Sequence, residues 1–196
     1  MAILAPSIKG LQHLLLICEA YCEEWDICLN AKKSRNLYFG KRTLISYTIT
    51  LNGKKVDWAD KWVYLGVTLR SSKRFDCSIH ERIKKFYRCS NAIFCIDGMS
   101  NDIVMLRPIE AHCVPVLTYA IEVVDVLDRN EKRQLRVAYN SVFRKIFNYR
   151  WSESVSALQG FLGRPTWEQL VEKRRSGFSN RLLCSNSDTL ARRLLI

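Results

Sequence analysis

Glycine and proline together fill only 12 of the 196 positions, and no stretch approaches the roughly 18 consecutive apolar residues of a membrane-spanning helix. The first shortage excludes collagen-like repeats and low-complexity linkers. Disorder is excluded as well, because hydrophobic residues make up 48% and aromatics 11% of the chain. No CxxC spacing occurs, and the three histidines (His13, His80 and His112) form no HxxxH pair. A zinc site is therefore not expected. A hydrolase lacks support too, since the three histidines are scattered and there is no Gly-x-Ser-x-Gly. The opening Met1-Ala-Ile-Leu-Ala-Pro6 has neither a basic leader nor an apolar core of signal length, so secretion is not expected. The eight cysteines then read as reduced thiols of an intracellular protein, cytoplasmic or nuclear.

What the chain has in excess is positive charge. Lys and Arg number 31 against 19 Asp and Glu, a formal net charge of +12. On a body of this size that favours a polyanionic partner, most often nucleic acid. The length fits one large domain or two of about 100 residues each.

Ser7 is a plausible N-cap for a helix carrying Leu11, Leu14, Leu15, Cys18, Cys22 and Trp25 on one stripe. Cys18 and Cys22 read as core thiols there, and Glu19, Glu23, Glu24 and Asp26 as solvated helix surface. Strict alternation then puts Ile45, Tyr47, Ile49 and Leu51 on one face of a half-buried antiparallel strand. Asn52-Gly53 supplies a type I′ turn into Lys54-Lys-Val56. Trp62-Val-Tyr-Leu-Gly-Val-Thr-Leu69 is a further β-like run, with Gly66 suggesting a bulge or close backbone approach.

Near residue 70 the pattern turns helical. Ile79, Ile83, Phe86, Ser90 and Phe94 recur at helical spacing up to a stop at Asp97-Gly98. Ser100 caps a segment bearing Ile103, Leu106, Ile109, Cys113, Leu117 and Ile121, which Pro108 and Pro115 must kink or divide. Asp128 and Glu131 form a capping box before Leu135, Ala138, Tyr139, Val142 and Ile146. A last helix begins near Thr166. Residues 1–60 hold 8 basic and 6 acidic side chains, whereas residues 61–196 hold 23 and 13. Arg82, Lys84, Lys85 and Arg88 are assigned to the polar side of the first long helix, and Arg129, Lys132, Arg133 and Arg136 to that of the third. Rigid rods with cations along them suit phosphate contacts.

This order of elements resembles the reverse transcriptases of non-LTR, LINE-like retrotransposons. Ile3-Leu-Ala-Pro-Ser7 with Leu11-Gln-His-Leu-Leu15 and Cys18-Glu-Ala20 is similar to the segment that follows the family's catalytic Tyr-x-Asp-Asp loop. Asn30-Ala-Lys-Lys-Ser34 before Leu37-Tyr-Phe-Gly40 resembles motif D. Trp62-Val-Tyr-Leu-Gly-Val-Thr-Leu69 resembles the primer-grip hairpin. Ala138-Tyr-Asn140 with Val142-Phe-Arg-Lys-Ile-Phe147 is similar to the thumb. The resemblance implies an α+β fold: residues 1–70 as the C-terminal part of a palm (a helix plus antiparallel hairpin strands), and residues 71–196 as a basic, all-α thumb with a C-terminal extension.

It implies roles as well. Lys33 matches the motif D lysine, near the incoming nucleotide's phosphates. Trp62, Tyr64, Leu65 and Gly66 match the primer grip, and Arg82, Lys84, Lys85, Arg88, Lys132, Arg133 and Arg136 would track an RNA–DNA hybrid of RNA template and DNA primer. Full-length relatives would use Mg²⁺ held by one early Asp and an Asp-Asp pair. No Asp-Asp dipeptide occurs in these 196 residues. The chain is thus expected to be the remainder of a truncated or decayed polymerase gene, to hold no metal or small-molecule cofactor, to meet no membrane, and to be inactive alone. Pro108, where the family usually keeps an apolar residue in this part of the helix, marks either decay or a break already present in the helix. The alternative is a non-enzymatic basic helical module that binds nucleic acid or a protein.

Overall fold

A computed structural model describes residues 1–41, 47–96, 102–122 and 127–184. The chain divides into two compact units, residues 1–78 and 79–196.

The first unit starts with α1 (Ile8–Glu24). Its N-cap Ser7 accepts the Gly10 N–H on Oγ at 3.0 Å. Ala31–Lys33 form a single 3₁₀ turn, capped by the Asn30 side chain, which accepts the Lys33 N–H at 3.1 Å. A hairpin follows, β1 (Ile49–Leu51) with β2 (Lys54–Val56), in the register Ile49↔Val56 and Leu51↔Lys54. Asn52 and Gly53 make its two-residue turn at φ +50° and +68°, the type I′ signature. The expected strand is longer than this: Tyr47 and Thr48 lie outside β1, and Ile45 falls outside the described residues. Ala31, Ile49, Leu51 and Val56 are buried as one cluster beneath Ile8, Leu11, Leu15 and Trp58.

Two side chains of α1 fix this hairpin. Gln12 donates from Nε2 to the Thr50 carbonyl (3.1 Å) and accepts the Thr50 N–H on Oε1 (2.9 Å). Glu19 accepts the Asn52 N–H. Glu19 is therefore not only solvated helix surface; its carboxylate holds the turn. The apolar arc of α1 is broader than the sheet it covers, so Ile17 and Tyr21 stay more than half exposed, as does Trp25, which sits at the C-cap rather than in the helical stripe.

A second sheet has the order β3 (Lys61–Tyr64), β4 (Val67–Arg70), β5 (Asp76–Ser78), all antiparallel. The run from Trp62 to Leu69 is a hairpin, and Gly66 is not a bulge. Leu65 (φ +46°) and Gly66 (φ +76°) form its two-residue turn. Arg70 and Asp76, directly opposite on β4 and β5, pair at 2.9 and 3.0 Å through Nε and Nη2. Strand β5 carries the strand region past residue 70 to Ser78. Lys61, Arg70, Lys73 and Arg74 therefore belong with the first unit, and the positive charge is shared between the units more evenly than a division at residue 60 suggests.

The second unit is helical. Helix α2 (His80–Phe94) buries Arg82, Phe86, Ser90 and Ile93. The expected stop at Asp97-Gly98 and cap at Ser100 lie outside the described residues. Helix α3 (Asp102–Pro108) runs into a π-turn (Ile109–Cys113) and then α4 (Val114–Thr118), and Val114 donates its N–H to the Ile109 carbonyl, five residues back. Pro108 ends α3 and Pro115 sits in the first turn of α4, so both prolines fall at junctions where a missing N–H is tolerated. One buried stripe, Leu106, Ile109, Cys113, Leu117 and Ile121, survives these breaks, whereas Ile103 is half exposed.

Helix α5 (Arg129–Ile146) begins with the anticipated capping box: Asp128 accepts the Glu131 N–H at 2.7 Å, and Glu131 accepts the Asp128 N–H at 3.3 Å. It buries Leu135, Ala138, Tyr139, Val142, Phe143 and Ile146. Short α6 (Ser156–Phe161) follows, with Gln159 buried and bonded to Asn140 at 3.2 Å. Helix α7 (Trp167–Cys184) starts behind Thr166, which exchanges hydrogen bonds with Gln169, and Trp167 packs against Tyr139.

Candidate nucleic-acid interface

In the first unit, the segment around Lys33 meets the β3–β4 hairpin through Arg35 and the strand β2 through Asn36, neither of them among the expected site residues. Lys33 itself is exposed at the end of the 3₁₀ turn. Two residues on, the Arg35 guanidinium lies 5.2 Å from the centre of the Trp62 ring, a cation–π contact. Asn36 is buried, donates from Nδ2 to the Val56 carbonyl at 3.0 Å, and exchanges backbone bonds with Asp57 and Ala59. The Lys33 loop is thereby stitched to β2 and to the linker that feeds β3. The run Arg35-Asn36, a cation and a short amide straight after a capped turn, was the available signal.

Trp62 and Tyr64 share one face of the hairpin, opposite Leu69 and Val67. At its tip Leu65 is 73% exposed and holds a left-handed backbone conformation. For a non-glycine residue that conformation costs on the order of 1–2 kcal/mol. The tip therefore presents a large apolar side chain to its surroundings from a strained backbone position. Gly66 fits the turn because it has no Cβ to oppose its positive φ.

In the second unit the predicted cations separate. Arg82 is buried, in one row with Phe86, Ser90 and Ile93, and is not on the polar side of α2. The cause is its spacing, since positions 82, 86, 90 and 93 fall on one helical face. Lys84, Lys85 and Arg88 are exposed. Lys84 pairs with Glu81 at 3.3 Å, and Glu81 titrates below the usual carboxylate range, mainly through its hydrogen bond to Lys84, with Arg88 adding to the effect. On α5, Lys132, Arg133 and Arg136 are exposed, and Arg136 reaches Glu168 of α7 at 3.5 Å. Helices α5 and α7 flank a cleft of about 500 Å³ with Leu127, Leu135 and Trp167 in its wall and Arg129, Lys132 and Arg133 along its lining. Arg144 reaches Trp151 at 5.4 Å in a second cation–π contact.

Among the described residues, no group of three or more His, Cys, Asp or Glu side chains could hold a metal ion, and no helix is long and apolar enough to cross a membrane. The arrangement has the means to bind polyanions through point charges and to lay exposed apolar and aromatic groups against a partner.

Relatives of the chain are found among mobile-element proteins. It is 27% identical over 194 residues to the probable RNA-directed DNA polymerase from transposon BS of Drosophila melanogaster, a match covering 96% of this chain and 21% of that protein. It is 24% identical over 202 residues to the RNA-directed DNA polymerase from mobile element jockey of the same fly, and 25% identical over 194 residues to its namesake from Drosophila funebris, with 98% and 97% of this chain and 21% of each relative covered. The chain thus spans about a fifth of the length of the curated relatives it matches. No protein-family model and no solved structure matches it. The resemblance read from the ordered motifs is borne out by these relatives.

Proposed function

We propose that this chain, aligned along nearly its whole length with RNA-directed DNA polymerases of mobile elements, is a piece of a retrotransposon reverse transcriptase that binds a template–primer hybrid inside the cell. The alignment supports the polymerase origin. The observation that carries the binding role is the hairpin tip, where Leu65 stands exposed in a strained conformation beside Trp62 and Tyr64. In this reading the first unit acts as the end of a palm, with Lys33 near the incoming phosphates and the tip as the primer grip. The helical unit acts as a thumb, with Lys85, Arg88, Lys132 and Arg133 on phosphates and Arg82 in a structural role.

The 196 residues contain no Asp-Asp pair to clamp two catalytic metal ions, so alone they are expected not to extend a primer. The wide apolar face of α1, of which the hairpin covers only part, agrees with a unit that packs against further polymerase structure.

Binding of a labelled RNA–DNA hybrid, followed by fluorescence anisotropy over 50–300 mM salt, tests the reading. Affinity should fall steeply with salt, by roughly tenfold or more between about 50 and 200 mM. The triple change Lys85→Glu, Arg88→Glu, Arg133→Glu should weaken binding further and flatten that dependence. Binding that ignores both salt and these reversals would overturn the proposal, as would no binding at all.

A further inference from the structure

Eight cysteines are free thiols, and two of them meet. Cys89 lies on α2 and Cys113 closes the π-turn. Their sulfurs are 3.0 Å apart, with the Cys113 S–H donating to Cys89 Sγ. Residues 24 positions apart in sequence are brought together because α2 packs along the π-turn. Neither thiol contributes to the interface described above. Their surroundings differ: Cys113 is fully buried, whereas Cys89 keeps part of its surface in solvent. Burial first, and then the neighbouring sulfur, pushes the Cys113 thiol up to about 12.

We propose that Cys89 and Cys113 form a peroxide-sensitive redox pair, which closes into a reversible disulfide joining α2 to the π-turn. The partly exposed thiol meets the oxidant. Cys89, having given its proton to solvent, attacks one oxygen of a hydroperoxide; an S–O bond forms, the O–O bond breaks, and hydroxide leaves. That hydroxide takes the Cys113 proton and becomes water. The Cys113 thiolate, already in contact, attacks the Cys89 sulfur; the S–S bond forms and the S–O bond breaks. The second hydroxide recovers a proton from solvent. Two thiols and one hydrogen peroxide thus give one disulfide and two waters, with the sulfurs losing the two electrons that the peroxide gains.

The sulfurs must approach by about 1 Å to reach the bonded length of roughly 2.05 Å. The π-turn is the natural place for that adjustment, since its backbone already departs from regular helix. Cys113 is buried and sits against Cys89, while Cys28, Cys95 and Cys184 are exposed thiols.

The test is peptide mapping of the full chain after treatment with equimolar hydrogen peroxide and then alkylation of remaining thiols. The expected result is a cross-linked Cys89–Cys113 peptide pair that dithiothreitol separates, together with a melting temperature raised by roughly 5 °C or more. In Cys113→Ser, Cys89 should stop at the sulfenic acid and be trapped by dimedone. Preferential oxidation of Cys28, Cys95 or Cys184 while Cys89 and Cys113 remain alkylated would overturn the proposal. So would disulfides that form only between molecules. The mapping of the unmutated protein decides this even if a variant fails to fold.

Discussion

Glu110 of the π-turn and Arg164 lie 2.9 Å apart, and yet the Glu110 carboxyl titrates above its ordinary range, because burial disfavours its charge by more than the guanidinium favours it. The same carboxylate helps to push the Tyr139 hydroxyl up, although burial is the larger cause there; that hydroxyl donates to the Pro165 carbonyl at 2.9 Å.

A pH signature follows from Glu110. Its folded-state value is raised, so its contribution to stability is full below its unfolded value and is lost as pH rises through the folded value. Compared with Glu110→Gln, which does not titrate, the native protein should therefore gain stability as pH falls from 7 to 5. Thermal melts of both proteins at the two pH values measure this. A native protein that loses ground on acidification would show the ion pair outweighing burial.

Arg82 should behave as a folding residue. Arg82→Glu replaces a buried guanidinium with a buried carboxylate and is expected to cost about 3 kcal/mol or more in urea unfolding. Lys85→Glu, on the exposed side, should leave unfolding within about 0.5 kcal/mol of the native protein while lowering hybrid affinity. Equal effects of the two on unfolding would contradict the burial of Arg82.

The hairpin tip should separate stability from binding. Asparagine tolerates the left-handed region better than leucine, so Leu65→Asn should stabilise the first unit by about 1 kcal/mol. The same change should weaken hybrid binding by removing the exposed apolar tip. Anisotropy beside urea titration would show both, and unchanged affinity would remove Leu65 from the interface.

Asn36 should prove more sensitive than its place in a loop suggests. Asn36→Ala leaves the Val56 carbonyl without its side-chain donor and is expected to cost roughly 1–3 kcal/mol. A loss confined to a few tenths of a kcal/mol in urea unfolding would mean that water replaces the amide.

Local chemistry was legible in the sequence where it was self-contained. Ser7, Asn52-Gly53 and the Asp128–Glu131 box each declare themselves within four residues, and each stands where the pattern put it. The buried stripe from Leu106 to Ile121 was legible as well, because periodicity survives a π-turn that no residue announces. What failed was a polar residue carried inward by its helical row, and contacts between partners distant in sequence. Arg82 reads as polar on any scale, and only the row it shares with Phe86 and Ile93 shows it to be inside. Glu19 finds Asn52 across 33 residues, and Arg35 finds Trp62 across 27; neither spacing has a period to betray it. Gly66 was ambiguous for another reason: one glycine serves a bulge or a turn equally, and the register of β3 with β4 decides between them.

The paired hydrogen bonds from Gln12 to Thr50 have a consequence for solubility. Thr50 stands opposite Lys55, between the pairs Ile49↔Val56 and Leu51↔Lys54, and its backbone N–H and C=O turn outward to the Gln12 side chain. An open strand edge is a template onto which a neighbouring molecule can graft its own strand. At this position a glutamine amide occupies donor and acceptor together, so the helix blocks the growth point with a single side chain, and the guard against cross-molecule β-pairing is built into α1.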